Sequence, residues 1–171
     1  FDEAVSLLKE SPKGKTVVMA GGSDLIGVLK EQILEDYPEK VVDLKTVRGG
    51  EYIKQDGDTI EIGALTKLCD IVKSDLLNEK APVLSQAARS VATPLIRNVA
   101  TMGGNICQDV RCWFYRYPHG IGGRMDCMRK GGKECYAVMG DNRYHSIFGG
   151  MKVHTTPCSV QCPANTDIPA Y

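Results

Sequence analysis

A chain of 171 residues with 43% hydrophobic and 25% charged content can bury one or two small cores. Its 21 basic residues balance 21 acidic ones, so the footprint expected of a nucleic-acid or anionic-membrane partner is missing. No apolar run approaches the ~20 residues of a membrane span and no secretory hydrophobic region is present, which points to a cytoplasmic chain without a membrane partner.

In chain order the elements read as α/β (α+β). Asp2 is placed to cap a helix over Glu3 to Lys9 whose apolar face is Ala4, Val5, Leu7 and Leu8, and Ser11-Pro12-Lys13-Gly14 closes it. Thr16 to Met19 reads as a buried strand. It runs into a first glycine turn, Val18-Met19-Ala20-Gly21-Gly22-Ser23-Asp24-Leu25. A helix over Ser23 to Leu34 follows, with Leu25, Ile26, Leu29 and Ile33 at helical spacing and Ser23 as its cap. Val41 to Leu44 is a short strand. Tyr52 to Lys54 and Thr59 to Ile62 flank Asp56-Gly57, a hairpin signal. Helices over Thr66 to Lys73 and Pro82 to Ala92 come next, with Pro82 suited to a first turn and Thr93-Pro94 as a stop. Cys69 reads as a buried small hydrophobe on the first of them.

A second glycine turn, Val99-Ala100-Thr101-Met102-Gly103-Gly104-Asn105-Ile106, repeats the design of the first. Glycine reaches positive φ freely and lets main chain approach a ligand that a Cβ would repel. Successive N–H groups in such a turn form a concave nest for anions. Two nests from distant parts of one chain could clamp the two phosphates of a dinucleotide, whereas a Gly-Gly pair alone also punctuates ordinary loops. Neither turn fits G-x-G-x-x-G or the Walker pattern.

As a pair, and in this order, the turns resemble the FAD-binding part of molybdenum hydroxylases. That family includes the FAD domain of xanthine dehydrogenase and the flavoprotein subunits of carbon monoxide dehydrogenase and 4-hydroxybenzoyl-CoA reductase. Asp2-Glu3-Ala4-Val5, Ile62-Gly63-Ala64-Leu65-Thr66 and Val91-Ala92-Thr93-Pro94-Leu95-Ile96-Arg97-Asn98 add to the likeness, which extends to about residue 150. The resemblance implies the FAD-binding fold of the molybdenum hydroxylase and vanillyl-alcohol oxidase type, incomplete at its C-terminal end. Since the chain opens on Phe1 rather than Met, it reads as a fragment of such a protein. It further implies that residues 20–24 and 101–105 hold the FAD pyrophosphate, with Val91, Ala92 and Ile96 lining the flavin or ribityl region.

Beyond Ile106 the character changes. Six of the seven cysteines lie at or after Cys107, and Cys107, Cys112, Cys127 and Cys135 are spaced C-x4-C-x14-C-x7-C among glycines. No C-x2-C pair occurs, which argues against a zinc ribbon, and a disulfide framework does not suit a chain without a signal peptide. The thiols are then either structural or ligands of one centre. The 4-hydroxybenzoyl-CoA reductase flavoprotein carries a [4Fe-4S] loop at this place. The likeness maps Cys112, Cys127 and Cys135 onto three cluster cysteines and puts the fourth at Tyr144-His145, where no thiol stands; His145 could replace it, and Cys107, whose family equivalent is not a ligand, competes as a thiolate. His119 and His154 have no evident partner.

The closing run Pro157-Cys158-Ser159-Val160-Gln161-Cys162-Pro163 resembles the start of the iron–sulfur domain in the glutamate synthase small subunit, the other reading being an unstructured tail. The chain thus divides into FAD-binding subdomains (1–106), a cysteine-rich insertion (107–150) and a tail (151–171). The function expected is that of an FAD- and iron–sulfur-containing electron-transfer subunit of an oxidoreductase. Its partners would be a molybdenum-cofactor subunit, a [2Fe-2S] subunit and NAD(P)H or another carrier, with no catalytic acid or base on this chain. A self-contained flavoenzyme acting directly on a small molecule and an iron–sulfur scaffold without flavin are the competing readings.

Overall fold

The structure is a computed structural model and describes residues 1–34, 36–117 and 125–139. Helix α1 (Asp2–Glu10) leads to strand β1 (Thr16–Met19), helix α2 (Leu25–Lys30) and strand β2 (Lys40–Asp43). Strands β1 and β2 pair in parallel, Val17 opposite Val41 and Met19 opposite Asp43, so the first glycine turn leaves the end of a sheet strand. Strands β3 (Ile53–Asp56) and β4 (Thr59–Ile62) form the expected hairpin, antiparallel, with Gly57 at φ 57° in its tip. Helices α3 (Leu68–Lys73), α4 (Asp75–Lys80), α5 (Pro82–Arg89), α6 (Pro94–Arg97) and α7 (Met102–Ile106) follow, then a 3-10 turn (Met128–Lys130) and α8 (Tyr136–Met139). No described helix is long and apolar enough to cross a membrane.

Several expected boundaries are corrected. The first helix has Phe1, not Asp2, at its N-cap. Strand β1 is only partly buried: Thr16 is inside but Val18 is 40% exposed. The helix expected over Ser23 to Leu34 spans six residues. It ends because Gln32 turns left-handed at φ 52° while Gln32 N–H donates to the Leu29 carbonyl and Ile33 N–H to the Val28 carbonyl, a helix-terminating pattern usually built on glycine. The apolar period continued to Ile33 because Ile33 and Val28 meet across that stop in one core. Thr66 lies outside α3, its hydroxyl donating to the Tyr52 carbonyl and accepting from the Tyr52 N–H. Cys69 is half-buried rather than buried; burial first, then the neighbouring Asp70 carboxylate, push its thiol up.

Among the described residues two separate apolar cores stand out. The first gathers Leu68, Ile71, Leu77, Ala88 and Ala100 from α3, α4, α5 and the approach to the second glycine turn, with Ile60 and Ile62 of the hairpin against it. The second gathers Val28 and Ile33 from around α2 with Cys112, Tyr115, Cys127 and Ala137. Cys112, Tyr115, Cys127 and Ala137 of the cysteine-rich segment therefore share a core with α2.

Candidate functional site

The first turn is shaped by two glycines in different ways. Gly22 stands at φ 74°, a left-handed conformation natural to glycine. Gly21 lies against the second turn's approach so closely that a Cβ there would sit 2.0 Å from the Val99 carbonyl oxygen. The N–H groups of Gly21, Gly22, Ser23 and Asp24 donate to no acceptor among the described residues. Polar donors left open in a glycine turn are what an anionic oxygen requires. Ser23 does not cap α2; Asp24 holds the N-cap position, without a side-chain cap bond.

The second turn is built differently. Met102 N–H donates to the Thr66 carbonyl at 2.8 Å, Gly103 N–H to the Ala64 carbonyl at 2.8 Å and Asn105 N–H to the Thr101 carbonyl at 2.9 Å. Thr101 caps α7 by accepting from Gly104 N–H at 3.2 Å. This turn is thus lashed to the segment 63–67 and keeps few main-chain donors for a ligand. Its hydroxyl proton on Thr101 and the Asn105 amide are its remaining polar offerings. Ala20 of the first turn lies 4.0 Å from where a Gly104 Cβ would be, so the two turns expected to act together do stand together.

Next to them is a loop the sequence marked only as Val91, Ala92 and Ile96. Ala92 has φ 45°, unusual for a residue with a Cβ. The 7%-exposed Arg97 supports it, one terminal guanidinium nitrogen donating to the carbonyls of Arg89, Val91 and Ala92 at 3.0, 2.9 and 3.2 Å. Ile96 is partly exposed, and its carbonyl accepts from Ala100 N–H at 2.8 Å, tying this loop to the second turn.

Asp24 faces away from this junction toward the cysteine-rich segment. Its carboxylate accepts from Asp109 N–H at 3.0 Å, from Arg111 at 2.5 Å and from Arg116 at 3.0 Å. Burial pushes this carboxyl up, but the bonds from Arg111, Asp109 and Arg116 outweigh it and hold it below the usual carboxylate value. Arg111, Arg116 and Arg97 were not read from the sequence as site residues. Their signal was faint: an arginine announces no partner until folding supplies one.

Cys112, Cys127 and Cys135 line one pocket of about 440 Å³, beside Phe114 and Tyr136, whose rings lie 5.9 Å apart. The loop between the last two thiols closes on itself: Met128 N–H donates to the Glu134 carbonyl, Glu134 N–H to the Asp126 carbonyl, and Gly132 N–H to the Cys127 carbonyl. That closure is why a C-x7-C spacing brings both thiols to one cavity. Tyr115, 5% exposed, packs behind them with Lys130 5.7 Å from its ring centre; burial and the Asp109 carboxylate push its phenol up to about 12. Cys107 is exposed at the C-cap of α7 and is not part of the pocket lining. Among the described residues no three His, Cys, Asp or Glu side chains close in on a single-ion site. His145, Cys158, Cys162, His119 and His154 lie outside the described residues.

Comparison with known proteins gives the family. The profile of a family described as FAD binding domain in molybdopterin dehydrogenase matches residues 1–115. The chain belongs to this family. Its relatives include the nicotinate dehydrogenase FAD-subunit of Eubacterium barkeri, 33% identical over 62% of this chain and 35% of that protein. The carbon monoxide dehydrogenase medium chain of Hydrogenophaga pseudoflava is 33% identical over 61% of this chain and 35% of that protein. A solved carbon monoxide dehydrogenase from the same organism, lacking the Mo-pyranopterin moiety, superposes with a TM-score of 0.57, covering 61% of this chain and 35% of that one. The chain therefore spans about a third of the length of these relatives, and the family match ends inside the cysteine-rich segment.

Proposed function

We propose that this chain forms part of an electron-transfer flavoprotein subunit of a molybdenum-hydroxylase-type oxidoreductase. The observation that carries the reading is the meeting of the two glycine turns at Gly21, with the main-chain donors of residues 21–24 left open to an anion. Main chain of residues 20–24 and the polar groups of residues 101–105, Thr101 and Asn105 above all, would hold the FAD pyrophosphate. The loop at Val91, Ala92 and Ile96, stiffened by Arg97, would border the ribityl or flavin portion. Bound FAD supplies two-electron exchange with one carrier and single-electron exchange with the next. This chain's residues bind and orient it and exclude water; none is nominated as an acid or base.

Cys112, Cys127 and Cys135 are proposed as three ligands of a [4Fe-4S] cluster, with His145 or Cys107 as the fourth. The observation behind this reading is that the three thiols line one pocket. Electrons would pass between NAD(P)H or another carrier and a [2Fe-2S] and molybdenum partner. The names of the relatives, dehydrogenase FAD-subunits and medium chains, favour this oxidoreductase reading and its multi-subunit setting. The tail from 151 would begin a further iron–sulfur domain.

The test is the spectrum and iron content of the anaerobically purified full-length protein with its co-purifying subunits. Flavin bands together with a broad thiolate-to-iron shoulder, and about four iron for this cluster, are expected. Flavin bands without iron would reduce the chain to a flavoprotein, and iron without flavin would overturn the reading of the turns. Cys112→Ser, Cys127→Ser and Cys135→Ser should each lose the shoulder. Of His145→Ala and Cys107→Ala, only the variant of the true fourth ligand should alter it.

A further inference from the structure

The first glycine turn and the cysteine pocket share one support. Gly22 carbonyl accepts from Ile26 N–H at 3.0 Å and Asp24 carbonyl from Val28 N–H at 3.0 Å, so the turn is hydrogen-bonded directly into the start of α2. The buried side of α2 is Val28, fully enclosed at 0% exposure, and its partners are Cys112, Tyr115, Cys127 and Ala137 rather than any residue of the α3–α5 core. Asp24 closes the same joint from the polar side by gripping Arg111, Arg116 and the Asp109 N–H. Arg116 is held in turn by the Val110 and Asp109 carbonyls at 2.9 and 3.0 Å, which aims its guanidinium at Asp24. Cys112 lies between these two arginines in sequence, so whatever fixes Cys112 fixes both ends of the grip.

We propose that Asp24 is a positioning residue that couples the two sites, so that filling the cysteine pocket tightens flavin binding at the first turn and flavin binding protects the pocket. This rests on the FAD and cluster reading above. Thermodynamic coupling of this kind is reciprocal and commonly amounts to 5–150-fold in affinity. Asp24 acts through the turn it ends; its carboxylate is committed to the arginines and would repel a phosphate oxygen.

The experiment uses the full-length protein with its co-purifying subunits, freed of FAD, either stripped of iron or reconstituted anaerobically with iron and sulfide. FAD affinity is read by flavin fluorescence, and the reactivity of Cys112, Cys127 and Cys135 toward a thiol alkylator is read by mass spectrometry with and without FAD. Wild-type protein should bind FAD about tenfold more tightly when iron is present, within the usual range of such couplings. In the iron-free state, FAD should slow alkylation of the three cysteines. Asp24→Asn should bind FAD with equal, weakened affinity in both states while still taking up iron, and Asp24→Glu should restore part of the difference. Arg116→Met repeats the test from the other side of the joint if Asp24→Asn fails to fold. A wild-type affinity indifferent to iron, or Asp24→Asn with the full difference, overturns the coupling. If wild-type protein binds FAD but takes up no iron, the cluster reading fails, and the alkylation arm alone decides. There, protection by FAD in wild type but not in Asp24→Asn supports the coupling, and equal rates overturn it.

Discussion

A single methyl group at Gly21 would collide with the Val99 carbonyl oxygen at 2.0 Å, backbone against backbone, and no side-chain rotation relieves it. Gly21→Ala is therefore expected to part the two turns and abolish stoichiometric FAD binding, measured by flavin content after desalting. At Gly22 the same change meets only the ends of Ile26 and Met19, but in a left-handed backbone, so Gly22→Ala should cost about 1–2 kcal/mol in chemical denaturation. Asp24 gives a pH signature. Its folded-state carboxyl lies below the usual value, so the stability it contributes is full above about pH 4, the ordinary aspartate range, and fades as pH falls through the depressed value. The stability gap between wild type and Asp24→Asn should hence be constant near neutrality and shrink in acid. At this scale the glycines were legible in the sequence because their chemistry is local. The partners of Asp24 were not, since Arg111 and Arg116 lie 87 and 92 residues away.

Among the elements, strand β1 and the Asp-Gly hairpin were readable because their signals are contained in a few neighbouring residues. Helices α4, α6 and α7 were not, being four to six residues long and too short to show a period. All three are set by a side-chain cap, Ser74 for α4, Thr93 for α6 and Thr101 for α7. Helix α2 was overread because Ile33 keeps the apolar spacing past the stop at Gln32. A glutamine at φ 52° pays for a position that glycine fills freely, so Gln32→Gly should raise stability by about 1 kcal/mol, seen as a higher denaturation midpoint. Conversely, Val28→Ala removes fully buried methyls from the core shared with Cys112 and Cys127. A loss of about 2 kcal/mol and faster alkylation of both thiols are expected.

For the whole molecule, the sequence suggested a flavin domain with a cysteine-rich insertion after residue 106, and the apolar packing of the described residues runs across that boundary. One core carries the second glycine turn through Ala100 and Met102, and the other carries the first through α2 and the cysteine-rich residues. No linear reading finds this, because Val28 and Tyr115 are joined only by folding. A ligand seated across the turns would bind both cores at once. FAD at a hundredfold excess over its Kd should then add about 2.7 kcal/mol to unfolding and slow amide exchange in α2 and α3 together. Protection confined to α3 would mean that the first turn takes no part in binding.

The reach from Asp24 to Asp109, 85 residues along the chain, also imposes an order of events during synthesis. The first turn leaves the ribosome early, yet α2 has no complete core until Ala137 has emerged. The helices α3 to α5 can close their own core well before that, from contacts near in sequence. One half of the proposed flavin cradle therefore waits for residues made after it, and cofactor capture is expected to follow translation of the cysteine-rich residues.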